Sequence, residues 1–304
     1  MPPSIGQAAS LQSLIMHGNA LTNTLPTSLC ELRKLTEVNL ANNFLEGTIP
    51  DCFHELREVN ALNFSRNMLN GPIPTWLSKL QKLETIDFVI NNFTSTVPES
   101  LGTLQYLSHL GVGSNSLSGV LPLSLCNITN LEGLYISNNG LSGHLPNCLH
   151  QLQSLETLEA DGNLFSGTLS DTIMSMPHLR YFSCRNNDIN GTIPNIVGRS
   201  LHLIGLSGNR LTGPLPENLL TLPLLTVFNV SDNYLSGTLP SSVVNHTTTV
   251  LLSLDFGINY FSGTLSSNFA GNSPLQYLFV DHNLLHGRIP ASLAGLSSLT
   301  GRIE

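Results

Sequence analysis

Asparagine recurs through this chain at nearly even intervals, at Asn19, Asn43, Asn67, Asn91, Asn115, Asn139, Asn163, Asn187, Asn209, Asn233, Asn259 and Asn283. The first eight are 24 residues apart, and the later gaps are 22, 24, 26 and 24. A fixed period in this range belongs to a stack of small structural units, none of which can bury its apolar face alone. The chain is therefore expected to fold as a solenoid, and its function to reside in an exposed face rather than an enclosed cleft.

Around each asparagine runs the frame L-x-x-L-x-L-x-x-N-x-L-x-G-x-I/L-P, as at Leu35, Val38, Leu40, Asn43, Leu45, Gly47, Ile49 and Pro50. Each L-x-L stretch alternates apolar and polar residues, the pattern of a short strand with one buried face. The asparagine follows where the chain turns, placed to satisfy unpaired backbone groups. The glycine permits a positive φ or a close backbone approach, and the proline fixes the chain as it leaves. The expected fold is an α/β-type leucine-rich repeat solenoid, a curved horseshoe of about twelve repeats of ~24 residues. Short parallel strands would line the concave face and irregular or 3₁₀ segments the convex face. Residues 1–304 are read as a single solenoid lacking both terminal caps, with 300–304 an aberrant or truncated repeat.

Composition narrows the functional classes. The formal charge is −8 and only 11% of residues are charged. The basic residues are scattered, which argues against nucleic acid. No apolar run approaches the roughly 18 residues of a membrane span. The start, MPPSIGQAAS, has no basic, apolar signal pattern. No nucleotide loop, zincin helix or nucleophile elbow occurs, so an enzyme is not expected, nor a cofactor or metal.

Cys30 and Cys52 are 22 residues apart, as are Cys126 and Cys148, at equivalent positions of adjacent repeats. Disulfides Cys30–Cys52 and Cys126–Cys148 are expected. Cys184 stands at a core strand position and reads as a buried free thiol. Sequons at Asn63, Asn92, Asn127, Asn190, Asn229 and Asn245 join the cysteines in favouring a secretory setting. Asn63 and Asn229 fall on the strand face, which leaves Asn92, Asn127, Asn190 and Asn245 as the glycosylation candidates.

The LSGxLP, GTIP and GPIP endings resemble the plant-type class of leucine-rich repeat, from about residue 1 to residue 299. SLCxLxxL followed by GTIPDC, from Ser28 to Cys52, is similar to phrases of receptor-like protein ectodomains, and the cysteine-bearing phrase recurs from Ser124 to Cys148. That resemblance implies part of an ectodomain of a receptor-like protein or receptor-like kinase. Such a module binds a peptide, glycan or protein on its concave or lateral face, with another leucine-rich repeat receptor kinase as co-receptor. It would lie at the extracellular face of the plasma membrane or be secreted. Alternatives are an inhibitor of cell-wall-degrading enzymes such as polygalacturonase, or a structural scaffold without a specific ligand. Ice binding fits less well, because the exposed strand columns are irregular. Family ectodomains carry cysteine-bearing caps that this sequence lacks, which suggests a fragment.

Frame residues are structural, so ligand contacts are sought among outward-facing strand positions. Two groupings combine aromatic and charged residues, the mixture that anchors peptides. One is Tyr135, Glu159, Asp161, Tyr181 and Arg185. The other is Asp255, Tyr277, Phe279, Asp281 and His282. The glycines at 111, 113 and 205 read as shallow ground between them.

Overall fold

The computed structural model describes residues 2–196, 198–240, 250–265 and 274–299. The chain divides into two compact units, Met1–Leu155 and Glu156–Glu304. Each is a stack of repeats carrying two ladders of short parallel strands.

In unit 1 the first ladder consists of Ser13–Ile15, Glu37–Asn39, Ala61–Asn63, Thr85–Asp87, His109–Gly111 and Gly133–Tyr135. Each strand pairs in parallel with the next, and Val38, Leu62, Ile86, Leu110 and Leu134 fall in one register row. The middle residue of each triplet points into the core while its neighbours face out. Unit 2 repeats the arrangement with Thr157–Glu159, Tyr181–Ser183, Leu203–Gly205, Val227–Asn229, Ser253–Asp255 and Tyr277–Phe279.

The ladder asparagines account for the stacking. Asn67 is buried, and its Nδ2 donates to the carbonyls of Leu40, Phe64 and Ser65 at 3.0, 3.0 and 3.2 Å. Its Oδ1 accepts the Leu45 N–H at 3.0 Å. One side chain thus closes the turn after its own strand and satisfies backbone groups of the preceding repeat. Asn187 does the same in unit 2, to Ala160, Cys184 and the Phe165 N–H. Asn19 is exposed and reaches only Met16 and His17 of its own repeat.

A second ladder follows each asparagine, in unit 1 Thr22–Thr24, Phe44–Gly47, Met68–Pro72, Asn92–Ser95, Ser116–Val120 and Gly140–His144. The frame glycines sit in it. Gly47 has φ +76°, and a Cβ there would lie 2.8 Å from the Thr24 Cγ2 of the preceding repeat. Conformation and crowding both require glycine at this seam.

The prolines then launch 3₁₀ turns such as Thr27–Glu31, Asp51–Glu55 and Thr75–Lys79, with extended backbone at Pro26, Pro50 and Pro74. Where Ser170 replaces the proline, its hydroxyl accepts the Thr172 N–H and a single α-helical turn, Asp171–Met174, takes over. Sulfur bridges join neighbouring 3₁₀ turns at Cys30–Cys52 and Cys126–Cys148. Each closes a loop of 22 residues, which on chain-entropy grounds contributes about 3 kcal/mol. Cys184 is free and buried, and burial drives its thiol pKa far up. Aromatic rings fill the core of each unit, with Phe64 stacked on Phe88 at 5.5 Å in unit 1 and Phe228 packed on Phe256 at 6.0 Å in unit 2.

Two mutations test this account. Asn67→Ala leaves buried carbonyls and an N–H without partners, so urea denaturation should show a loss of about 3 kcal/mol; Asn19→Ala should lose far less. Ile90, a β-branched residue before a ladder asparagine, has φ +59° and is 39% exposed. The equivalent position holds Asn42 and Asn138 in other repeats, at φ +54° and +56°. Ile90→Asn should therefore raise stability by about 1 kcal/mol in the same assay.

Candidate functional site

The outward-facing positions of the first ladder carry the variable chemistry in both units. Tyr135 belongs to unit 1. Its ring closes over Gly133, where a Cβ would lie 2.5 Å from Cε2, and meets the His109 ring at a centroid distance of 4.8 Å. His109 in turn leans over Gly111 together with Val89 and Asp87, all within 3.3 Å of where a Cβ would stand. Asp87 Oδ1 accepts the Val89 N–H at 3.2 Å, so this carboxylate also shapes its own turn. Burial holds the His109 pKa below its ordinary value, with Asp87 opposing.

Glu159, Asp161, Tyr181 and Arg185 belong to unit 2. Asp161 Oδ1 accepts the Ser183 hydroxyl and the Arg185 N–H, both at 2.6 Å. The Arg185 side chain crosses Gly205, where a Cβ would lie 2.5 Å from its Nε. That Nε is buried and has no hydrogen-bond partner. Tyr181 is 45% exposed and stacks on His202 at 6.0 Å. Glu159 has its pKa raised, first by burial and then by Asp161, while Arg185 works in the opposite direction.

The other grouping also lies in unit 2. Strand register sets Asp255 beside Phe279 and Ser253 beside Tyr277. Asp255 accepts the Gly257 N–H on Oδ1 and the Asn229 Nδ2 on Oδ2, at 3.1 and 3.0 Å. The Tyr277 and Phe279 rings are nearly parallel, 6.4 Å apart and 11° inclined. His282 Nδ1 meets Asp281 Oδ2 at 2.8 Å.

Shallow ground at Gly111 and Gly205 is not what the structure shows. Small residues there admit the His109 and Arg185 side chains, which occupy the space. The contacts of His109 with Tyr135 and of His202 with Tyr181 escape the sequence reading. The first carried a signal, since both residues stand in outward-facing columns of adjacent repeats; His202 precedes its strand and carried none. An apolar hollow of about 650 Å³ in unit 2 is lined by Val280, Leu285, Ile289 and Leu293 among others. These are core positions of the frame, yet Ile289 is 82% exposed and Val280 and Leu285 are half-buried, so the hollow opens to solvent and is not formed by the outward-facing columns.

Asn92, Asn127 and Asn190 are exposed, and Asn127 ends a 3₁₀ turn. Asn63 and Asn229 are half-buried, each with Oδ1 accepting the N–H two residues on. Asn245 and residues 300–304 lie outside the described residues. Among the described residues no helix is long and apolar enough to cross a membrane.

A stack of parallel ladders tied by buried asparagines and faced with irregular outward columns defines a leucine-rich repeat solenoid. The leucine rich repeat family profiles match residues 33–93, 10–32, 130–152 and 224–246. The chain thus carries repeats of the leucine-rich repeat family. Among solved structures it is similar to a TDR receptor, with a TM-score of 0.90 and 27% identity over 98% of this chain and 51% of that one. It is also similar to the Arabidopsis receptor kinase HAESA, solved in complex with the peptide hormone IDA and the co-receptor SERK1. There the TM-score is 0.83 and identity 29%, over 98% of this chain and 59% of that one. The chain thus spans about half to three-fifths of these receptors. A plant ice-binding protein shares the fold, with a TM-score of 0.69 at 23% identity over 84% of this chain and 83% of that one. No curated protein matches the sequence.

The His109 environment sets a pH dependence. A pKa lowered by folding means that the unfolded chain binds the proton more readily. Stability therefore falls as pH drops through the unfolded value of 6.5 and levels off below the folded pKa. The fall in melting temperature between pH 7.5 and pH 5 should be smaller for His109→Gln than for the unaltered chain.

Proposed function

We propose that this chain is a non-catalytic recognition module of a receptor-like ectodomain, binding an extended peptide along the outward-facing side of its first ladder. The observation that carries the reading is the contrast between a frame that repeats and outward columns that do not. Each repeat spends its leucines, asparagine and glycine on stacking, and leaves the outward-facing strand positions free to differ. In unit 2 these positions bring together Tyr181, exposed at 45%, and Arg185, anchored through its backbone on Asp161. Aromatic and guanidinium groups held on a rigid support lose little entropy on binding, which is why they dominate peptide interfaces. The likeness to HAESA, seen with a peptide hormone, supports a peptide over a glycan or a folded protein.

On the same reading the parent protein faces the cell exterior and signals by associating with a second leucine-rich repeat receptor kinase. The bridges Cys30–Cys52 and Cys126–Cys148 suit that compartment. Glycans at the exposed Asn92, Asn127 and Asn190 would leave the outward face of the first ladder open.

The test is a titration of the purified chain with a panel of synthetic secreted plant peptides. A true ligand should bind Arg185→Ala or Tyr181→Ala at least tenfold more weakly (about 1.4 kcal/mol), with unchanged melting temperature. Equal affinity for both variants would move binding away from this face.

A further inference from the structure

Beyond Arg185, the outward face of unit 2 changes character. The outward positions of its three strands from Val227 to Phe279 are Val227, Asn229, Ser253, Asp255, Tyr277 and Phe279, and just beyond the strands lie Gly257 and Asp281. They hold two carboxylates and no lysine or arginine. Both carboxylates lean over one glycine. A Cβ on Gly257 would lie 2.6 Å from Asp281 Oδ1 and 3.3 Å from Asp255 Oδ1. Beside them stands the parallel ring pair of Tyr277 and Phe279, with Tyr277 42% exposed. Among the described residues Asp281 meets the imidazole of His282, itself largely exposed, no lysine or arginine pairs with it, and Asp255 has no ion pair.

Two like charges held in one small space repel each other, and a cation placed between them relieves the repulsion. Flat aromatic faces next to carboxylates accept the methylene stem of a long basic side chain and attract its charged head. We propose that this part of the sheet face docks a lysine- or arginine-bearing segment of the peptide. The cationic head lies over Gly257 between Asp255 and Asp281, and the stem lies along Tyr277 and Phe279. This inference rests on the peptide-binding reading above and names the chemistry of one part of the ligand. The carboxylates are set for it before the ligand arrives. Asp255 is fixed by Gly257 and Asn229, and Asp281 by His282.

The experiment is selection of random twelve-residue peptides displayed on phage, against the full chain and against Asp255→Asn/Asp281→Asn. Asparagine already serves at the position equivalent to Asp255 in Asn39, Asn63 and Asn229, where Oδ1 accepts the same backbone N–H. The double variant should therefore keep its fold, which its melting curve checks. Lysine or arginine should be enriched at one position with the unaltered chain, and the enrichment should vanish with the variant. Selected peptides should bind the variant roughly tenfold more weakly. Their affinity for the unaltered chain should fall between 50 and 500 mM NaCl, a readout that needs no variant. Peptides enriched without a basic residue, or with affinity indifferent to both the substitutions and salt, would overturn the cationic segment and leave the peptide reading standing. Failure to enrich any peptide on either protein would overturn both.

Discussion

Everything in this structure depends on a carboxamide that hydrogen-bonds in two directions. A parallel stack of three-residue strands leaves backbone groups unpaired at every turn, and a buried unpaired group costs more than a typical hydrogen bond returns. Asn67 resolves this by donating to carbonyls of its own turn and of the repeat before it, while its Oδ1 takes a neighbouring N–H. No other side chain of this size offers donors and an acceptor at once without charge. The 24-residue period is the trace of that demand in the sequence, and the leucine core is built around it.

The same economy separates structure from recognition. The middle residue of each first-ladder strand is buried in the core, and the residues beside it face outward, where some are covered by neighbouring side chains. Those outward positions are not wholly free. Asp87 and Asp255 each return one carboxylate oxygen to the N–H two residues on, and Asp161 secures Arg185 and Ser183. A side chain that could meet a ligand therefore also steadies the turn that presents it, which limits how far such a site can drift.

The first ladder, the burial of the asparagines and the 3₁₀ turns after proline were all legible in the sequence, because each follows from a period or a conformationally restricted residue. The second ladder was not. Its strands bury one leucine each, such as Leu45 and Leu69, among exposed residues as different as Phe44, Glu46, Met68 and Asn70 and a frame glycine that does not favour strands. Pairing there comes from the repeat beneath, which no local pattern records. The candidate site was half legible for a similar reason. Alternation located the outward columns, but where a side chain lies depends on the residue beside it in the next repeat. Glycine at 111 and 205 looked like open ground in one dimension; in three it is the recess that His109 and Arg185 occupy.

The seam between Thr24 and Gly47 recurs at Thr48 and Gly71, Thr96 and Gly119, Thr168 and Gly191, and Thr238 and Gly263. In each of these pairs one repeat supplies a methyl group and the next a residue without a side chain, while Ser95 replaces the glycine in one repeat and Gly237 meets Pro214 instead. The joints are interchangeable in the way that courses of identical brick are. A gene rearrangement that duplicates or deletes a whole number of repeats brings together two surfaces that already know how to meet. Such a chain can lengthen or shorten over generations without inventing a new contact, and its recognition surface is reordered each time at no expense to the fold.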